Sequence, residues 1–233
     1  ARYGIDLNAG LTAGTLAAGS RQVLAGNEML NTAALSHSQW MLSTDTFSHT
    51  GAGGSQPWDR AEAAGYNWST AGENISWRGT SASSFDLQAA ILGHHEGLFR
   101  SAGHRVNLVN DSFREIGLAR ETGFFLSGGT NWNASMLTEL FGTSGATRFL
   151  TGVSYSDTDA NRFYTMGEGQ GGAVFTIAGV SASTAAAGGY SLQAGTSATT
   201  AVTGRTATGA AFSVTVNMSD GNVKLDILNN TEF

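Results

Sequence analysis

Residues 71–76 read Ala-Gly-Glu-Asn-Ile-Ser, and residues 101–110 read Ser-Ala-Gly-His-Arg-Val-Asn-Leu-Val-Asn. Two shorter motifs flank them, Phe-Ser-His-Thr-Gly at residues 47–51 and Phe-Arg-Glu-Ile-Gly at residues 113–117. These segments contain the polar side chains best suited to chemistry in the first half of the chain, which are His49, Glu73, Ser101 and His104.

Hydrophobic periodicity predicts helices and strands around these motifs. Two apolar stripes at helical spacing predict two amphipathic helices. The first stripe is Leu30, Ala33, Ala34, His37, Met41 and Leu42, and the second is Leu87, Ala90, Ile91, His94 and Leu98. Ser83 with Asp86 matches a capping box that would start the second helix. Residues 116–120 and 136–141 are typical of strands.

The pattern changes near residues 143–148, after which apolar and polar residues alternate with the period of two that indicates strands. The candidate strands are residues 153–155, 173–177, 190–192, 201–202, 212–218 and 223–227. Asp220-Gly221 separates the last two runs and predicts a tight hairpin turn. The spacing of these short strands is typical of a β-sandwich.

Composition excludes several classes of protein. Charged residues make up 13% of the 233 residues, about half the usual share, which is common in exported bacterial proteins. A net charge of −6 without a basic run argues against a nucleic-acid partner. The absence of cysteine excludes disulfides, a thiol nucleophile and a cysteine-based zinc site. No apolar run reaches the ~20 residues that span a bilayer.

The motifs, with His37-Ser38 before them, resemble in order and spacing a bacterial member of the CAP superfamily. This SCP-like superfamily joins cysteine-rich secretory proteins, antigen 5 and plant pathogenesis-related proteins. The resemblance covers residues 27–142 and implies an α-β-α sandwich with a cleft lined by two histidines and acidic residues. It places the histidines at His49 and His104 and the glutamate at Glu73. The family's second glutamate falls on Ser101, which removes one carboxylate from the cleft.

Three kinds of chemistry are open to these residues. His49 and His104 could begin a site for zinc or another divalent cation, with Glu73 as a third or water-bridged ligand. Glu73 could instead hydrogen-bond a histidine and raise its pKa in a cleft without metal. Ser101, His104 and Glu73 could also form the nucleophile, base and orienting carboxylate of a hydrolase such as a peptidase, although Gly103 disfavours a regular helix there.

The other polar residues of this half are assigned structural roles. We expect His37, His94 and His95 to serve mostly in packing, because His37 and His94 fall on apolar helical stripes. Asn74 is expected to tie down backbone next to Glu73. Two histidines and one carboxylate fall short of the usual catalytic zinc site, and Gly103 disfavours the serine triad. We therefore expect a binding protein rather than an enzyme.

Residues 157–168 have the ligand spacing of a twelve-residue calcium loop. Oxygen-bearing side chains stand at positions 1, 3, 5 and 12, and a backbone carbonyl stands at position 7; the residues are Asp157, Asp159, Asn161, Glu168 and Phe163. Arg162 occupies position 6, where glycine is usual, so a strained turn and weak binding are expected. The surrounding sequence resembles B-type repeats of bacterial surface adhesins and carboxypeptidase-regulatory-like (prealbumin-like) sandwiches, which implies a calcium-stabilised β-domain.

The sequence thus predicts an α+β protein, a CAP-type α-β-α sandwich followed by an all-β Ig-like or prealbumin-like sandwich. The predicted segments are an N-terminal segment at 1–26 (a candidate helix packed on the first domain), the CAP domain at 27–142, a linker at 143–148 and the calcium-binding domain at 149–233. We expect a secreted or cell-surface protein that binds a small molecule, lipid, glycan or protein. A hydrolase and a self-assembling component of a surface layer, filament or larger parent protein are the alternatives.

Overall fold

The computed structural model describes residues 4–19, 21–84, 86–195 and 198–233. The chain divides into two compact units. Unit 1 comprises Ala1–Gln22 and Asn27–Ser144, and unit 2 comprises Val23–Gly26 and Gly145–Phe233. All the α-helices found in the described residues lie in unit 1, and strands occur in both units. The predicted mixture of helices and several sheets is therefore confirmed.

Strands and helices of unit 1 follow the order that the motifs suggested. The short strand β1 (Ala25–Gly26) is assigned to unit 2, and the strands of unit 1 are β2 (Thr70–Thr80), β3 (Glu115–Ser127) and β4 (Thr130–Thr143). The helices are α1 (Glu28–Ser43), α2 (Pro57–Ala63), α3 (Leu87–Arg100) and α4 (Ala102–Leu108), with a 3-10 turn at Ala52–Gly54. Strand β4 lies between β3 and β2 and pairs antiparallel with both.

Helix α1 begins at the predicted apolar stripe because Asn27 caps it. The Asn27 side-chain oxygen accepts hydrogen bonds from the backbone nitrogens of Met29 and Leu30, which a helix start otherwise leaves unpaired. The stripe residues Leu30, Ala33, Ala34, His37 and Met41 are buried.

Helices α3 and α4 depart from the sequence prediction in three details. The N-cap of α3 is Asp86 rather than Ser83, and its carboxylate accepts from the Ala89 nitrogen at 3.0 Å. Within the predicted stripe, Leu87 and Ile91 are exposed. Gly103 lies inside α4, so the prediction that it disfavours a helix was wrong. A single glycine costs a helix only about 1 kcal/mol, which tertiary contacts readily offset.

The sheet of unit 1 is covered by helices on both faces. Successive residues of β4 point to opposite faces of the sheet. On one face Met136 packs with Met41 of α1. On the other face the Ser135 hydroxyl bonds the His94 ring of α3 at 2.9 Å. This arrangement is consistent with the α-β-α sandwich that the sequence predicted.

The N-terminal segment packs on unit 1 through turns. Residues 4–19 contain turns and bends and no helix, so the expected helix is not found in these described residues. The fully buried Arg105 of α4 donates to the backbone carbonyl of Leu7 at 2.8 Å and to that of Ala9. The carbonyls that Arg105 binds are free to accept because turn residues make fewer backbone hydrogen bonds than helical residues.

Unit 2 contains two small sheets in its described residues. Its further strands are β5 (Phe149–Tyr155), β6 (Val174–Ile177), β7 (Val180–Ser183), β8 (Gly189–Gln193), β9 (Thr199–Arg205), β10 (Ala211–Asn217), β11 (Val223–Lys224) and β12 (Ile227–Leu228). One sheet has the order β10-β9-β6-β7, and in the other β5 pairs with β8, β11 and β12. A single apolar cluster includes the fully buried Leu150, Phe175 and Val202.

The hairpin predicted at Asp220-Gly221 was wrong. Strand β10 pairs antiparallel with β9, whereas β11 pairs parallel with β5, so the strands on either side of this turn lie in different sheets. Asn222 helps to hold β11 in place, because its side-chain oxygen accepts from the Phe149 nitrogen at 2.9 Å. Alternation of apolar residues indicates a strand but does not identify its partner.

Helix α1 approaches the sheet closely at Gly117 of β3, which generates a stability prediction. A Cβ atom at Gly117 would lie 2.1 Å from the backbone carbon of Leu30. We expect Gly117→Ala to lower the free energy of unfolding by about 2 kcal/mol or more, because neither backbone can yield. The measurement is chemical denaturation followed by tryptophan fluorescence, since all five tryptophans lie before residue 133.

Gly97→Ala is the matched control. Gly97 lies within α3, and a Cβ atom there would meet nothing within 4 Å. The same chemical change should therefore stabilise unit 1 by about 0.5–1 kcal/mol through helix propensity. Equal stability of the two variants would contradict the close-approach argument.

Candidate functional site

Glu73 of β2 is the centre of the candidate cleft. Its side chain is 1% exposed, so an ionised carboxylate here requires partners. Oε2 accepts a hydrogen bond from the Arg60 guanidinium at 2.5 Å, and Oε1 accepts one from His49 Nδ1 at 2.8 Å. The structure thus joins His49 and Glu73, which arrive from a loop and from a strand.

Arg60 of α2 fixes both the carboxylate and the loop that carries His49. Besides Glu73, its guanidinium donates to the backbone carbonyls of Ser55 at 2.9 Å and His49 at 3.1 Å. Sequence reasoning missed Arg60. The signal was a basic residue in a short helix that starts at Pro57, but its spacing from Glu73 says nothing about contact.

His37 of α1 lies close to the same carboxylate. Its Nε2 lies 2.9 Å from the Ser48 carbonyl, so Nε2 carries the proton and Nδ1 is a buried acceptor without a hydrogen bond in the described structure. Nε2 is also 3.9 Å from Glu73 Oε1. Burial, the largest cause, lowers the pKa of His37, which favours the neutral ring. His37 thus serves in packing, as expected, but beside the cleft.

His104 enters from α4 and makes a different contact. Its Nδ1 is joined to the Ser101 hydroxyl by a hydrogen bond of 2.8 Å. Burial first, and then the nearby His49 ring, lower the pKa of His104 below its usual value. At neutral pH the imidazole is therefore uncharged and can act as a ligand or as a base.

Two asparagines tie these segments together. Asn74 is fully buried, and its amide nitrogen donates to the His104 carbonyl at 3.2 Å and to Glu139 Oε2 at 3.0 Å. Asn107 of α4 donates to the Glu73 carbonyl at 3.1 Å and to the Asn74 side-chain oxygen at 3.0 Å. Helix α4 is thereby held against β2 at Glu73 and Asn74.

The geometry distinguishes among the chemistries open to the cleft. Nδ1 of His49 and Nδ1 of His104 both have hydrogen-bond partners, and no bond to either Nε2 is found in the described part of the chain. Glu73 bonds His49 and Arg60, and no hydrogen bond between Glu73 and His104 is found among the described residues. The Ser101–His104 pair is present, but Glu73 does not orient it.

The loop at residues 157–168 in unit 2 brings its carboxylates together. One oxygen from each of Asp157, Asp159 and Glu168 lies within 4.8 Å of the others. Both oxygens of Glu168 accept backbone amide hydrogen bonds, from Thr158 at 2.7 Å and Thr165 at 2.8 Å. Hydrogen bonds, led by the Thr158 hydroxyl, lower the pKa of Glu168, so this carboxylate is charged at neutral pH.

The remaining loop positions are placed as follows. Asn161 directs its amide nitrogen to Asp159 at 2.8 Å, and its side-chain oxygen accepts from the Phe163 nitrogen. Arg162 adopts φ of +62°, the left-handed conformation that glycine supplies at position 6 of calcium loops. Its backbone nitrogen donates to Asp157 at 3.0 Å, so the turn forms without glycine.

One comparison with known proteins finds a match to the first part of the chain. Residues 17–129 match the family model of CAP, the cysteine-rich secretory protein family. The resemblance predicted for residues 27–142 is thereby confirmed in part, over residues 27–129. No curated protein matches the sequence.

Two solved structures are similar to part of the chain. One is an extracellular protein containing an SCP domain from Bacillus anthracis, with 22% identity and a TM-score of 0.41, covering 53% of this chain and 35% of that chain. The other is an outer surface protein from Borrelia burgdorferi, with 18% identity and a TM-score of 0.40, covering 53% of this chain and 79% of that chain. The described helices include none with the length and apolar character of a membrane span.

The buried ion pair generates a prediction. Arg60→Met leaves Glu73 without its cation, and we expect the free energy of unfolding to fall by about 3–5 kcal/mol. Adding Glu73→Gln should recover part of this loss, because the second change removes the unpaired charge. Denaturation of the two single variants and the double variant gives the coupling energy.

The control is Arg100→Met. Arg100 forms an exposed pair with Glu96 at 2.7 Å, so its loss should cost less than about 0.5 kcal/mol. Additive effects of Arg60→Met and Glu73→Gln would show that the buried pair does not couple.

Proposed function

We propose that this is an extracellular CAP-domain binding protein whose cleft can hold a divalent transition-metal ion between His49 and His104. The observation that carries the proposal is that the two histidine rings have the same pattern of hydrogen bonds. Each Nδ1 has a polar partner, Glu73 for His49 and Ser101 for His104, and no hydrogen bond to either Nε2 is found among the described residues. Histidines that bind metals typically have the other ring nitrogen fixed in this way.

The residues present fit such an ion with a revised role for Glu73. Both Glu73 oxygens are engaged, one of them by a guanidinium, so this carboxylate is better suited to orient His49 than to coordinate. The lowered pKa of His104 keeps its imidazole neutral, as a ligand must be. Two protein ligands make an open, weak site at which zinc or a similar ion would still accept a ligand group.

A hydrolase is less well supported by the same contacts. A Ser101–His104–Glu73 mechanism needs the carboxylate on the histidine that activates the serine. Glu73 is instead bonded to the other histidine and neutralised by Arg60. Binding of a small-molecule, lipid, glycan or protein partner in the cleft is therefore the function that we favour.

We further propose that unit 2 is a prealbumin-like β-module that calcium stabilises. Three carboxylates with oxygens within 4.8 Å repel one another unless a cation screens them. The conformation of Arg162 removes the objection raised by the missing glycine. A low fraction of charged residues, 13%, supports location outside the cell, where calcium concentrations suit a weak site. A structural role in a surface assembly would use the same module.

The metal proposal predicts zinc binding that depends on the two histidines. Titration calorimetry of the full chain at pH 7 should detect one zinc ion, and His49→Ala or His104→Ala should abolish the signal. Glu73→Gln should weaken binding about 10–100-fold, since it removes the group that orients His49. His95→Ala, an exposed histidine of α3, is the control and should bind normally. Unchanged binding in both alanine variants would exclude the cleft.

The calcium proposal predicts a selective change in thermal stability. Differential scanning calorimetry of the full chain should show that millimolar calcium raises the transition temperature of unit 2. The free energy of unfolding of unit 2 should increase by about 2–3 kcal/mol at a hundredfold excess of calcium over Kd. Tryptophan fluorescence should show little change, because every tryptophan precedes unit 2's main segment.

The variant for this experiment replaces Asp157 and Asp159 by alanine. It should lose the calcium response while Asp220→Ala, at an exposed turn, keeps it. If calcium does not change the calorimetric profile of the unaltered protein, the calcium proposal is wrong and residues 157–168 are an ordinary acidic loop.

A further inference from the structure

A cavity lies on the α3 face of the sheet in unit 1, apart from the histidine–carboxylate cleft. Its volume is about 360 Å³, which is within the range of small-molecule sites. Apolar side chains from α3, β3 and β4 form most of its wall, and a carboxylate, an arginine and the two histidines His94 and His95 join them. The lining residues on which the following argument depends are Ile91, His94, Leu118, Arg120, Leu137 and Glu139.

Glu139 lines this cavity, and no counter-ion for it is found among the described residues. The residue is only 4% exposed, and its one hydrogen bond in the described structure comes from the Asn74 amide to Oε2 at 3.0 Å. No ion pair to Glu139 occurs within 4.0 Å among the described residues. Burial raises the pKa of Glu139 to about 7, against the smaller opposite effect of the Asn74 hydrogen bond. A buried carboxylate with one neutral donor is poorly compensated when it ionises.

The other polar groups around the cavity already have partners or contact solvent. His94 is bonded through both ring nitrogens to Ser76 and Ser135, and burial lowers its pKa to about 4, so it stays neutral. Arg120 of β3 is partly exposed and donates to Ser135 at 3.3 Å.

Three further titratable or charged groups lie on the elements packed around Glu139. They are the exposed Arg78 of β2, the exposed His95 of α3, which itself lines the cavity, and His104 of α4, whose carbonyl shares Asn74 with Glu139. None of these groups supplies Glu139 with a cation in the described structure. Glu139 is therefore the polar group of this cavity whose charge the protein leaves least compensated.

We propose that this cavity binds a small organic cation, an amine with an apolar body, whose ammonium group pairs with Glu139. Ile91, Leu118 and Leu137 would cover the apolar body, and the ammonium would supply the positive charge that the protein does not. The net charge of −6 favours the approach of a cation. An anion that paired with Arg120 would gain less binding free energy, because that guanidinium is solvated and already hydrogen-bonded.

Three probes of nearly equal shape test the proposal: benzylamine, benzyl alcohol and benzoate. Each is titrated into the full-length protein, with amide chemical shifts as the readout. Benzylamine should bind at least tenfold more tightly than the other two at pH 8 and shift the amide signals of residues 91, 118 and 137. Equal binding of benzyl alcohol, stronger binding of benzoate, or no binding of benzylamine would each overturn the proposal.

The pH dependence has a defined sign. Benzylamine stays protonated between pH 6 and pH 8, whereas Glu139 changes from mostly neutral to mostly ionised as the pH rises past about 7. Only the ionised form pairs with the ammonium, so the apparent Kd should fall by about tenfold from pH 6 to pH 8. Affinity that is constant or that falls over this interval would contradict pairing with Glu139.

Two variants locate the site. Glu139→Gln keeps the shape of the side chain and should weaken benzylamine binding at least tenfold and abolish the pH dependence. Ile91→Trp fills the cavity from an exposed position and should exclude all three probes even if the glutamine variant folds poorly. Glu96→Gln makes the same amide change at a carboxylate of α3 that pairs with Arg100, and should bind as the unaltered protein does. Retained affinity in Ile91→Trp would place the binding elsewhere.

Discussion

The buried ion pair between Glu73 and Arg60 organises the cleft of unit 1. A carboxylate that is removed from water needs a cation and further hydrogen bonds, and its position on β2 leaves few directions from which they can come. Arg60 approaches from α2 and uses its remaining donors on the carbonyls of Ser55 and His49. The placement of His49 is therefore a consequence of compensating the charge of Glu73.

Each face of the sheet carries a buried carboxylate, and the two carboxylates differ in the partners that compensate their charge. On the α1 face, Glu73 has a guanidinium and an imidazole as partners. On the α3 face, Glu139 has a single amide as its partner in the part of the chain that the structure describes, and burial raises its pKa to about 7. Asn74 contacts Glu139 on one side and the His104 carbonyl on the other, so one buried side chain links the cavity to the cleft.

Local patterns predicted elements well and partners poorly. The stripe of α1 and its cap at Asn27 depend on residues close in sequence, so periodicity identified the helix correctly. The turn at Asp220-Gly221 was read as a hairpin because alternation does not specify the strand across which hydrogen bonds form. Gly103 was read as a helix breaker, although its small propensity cost is offset by the contacts of α4.

The sequence alone determined the character of the elements and the segments that carry the chemistry, since His49, Glu73 and His104 stand in short motifs whose order the CAP resemblance recognised. Tertiary structure decided which groups touch. It joined Glu73 to Arg60 and His49 rather than to His104, and among the described residues it placed no cation beside Glu139. These outcomes depend on which side chains lose water together when distant segments pack, and spacing along the chain carries no information about that.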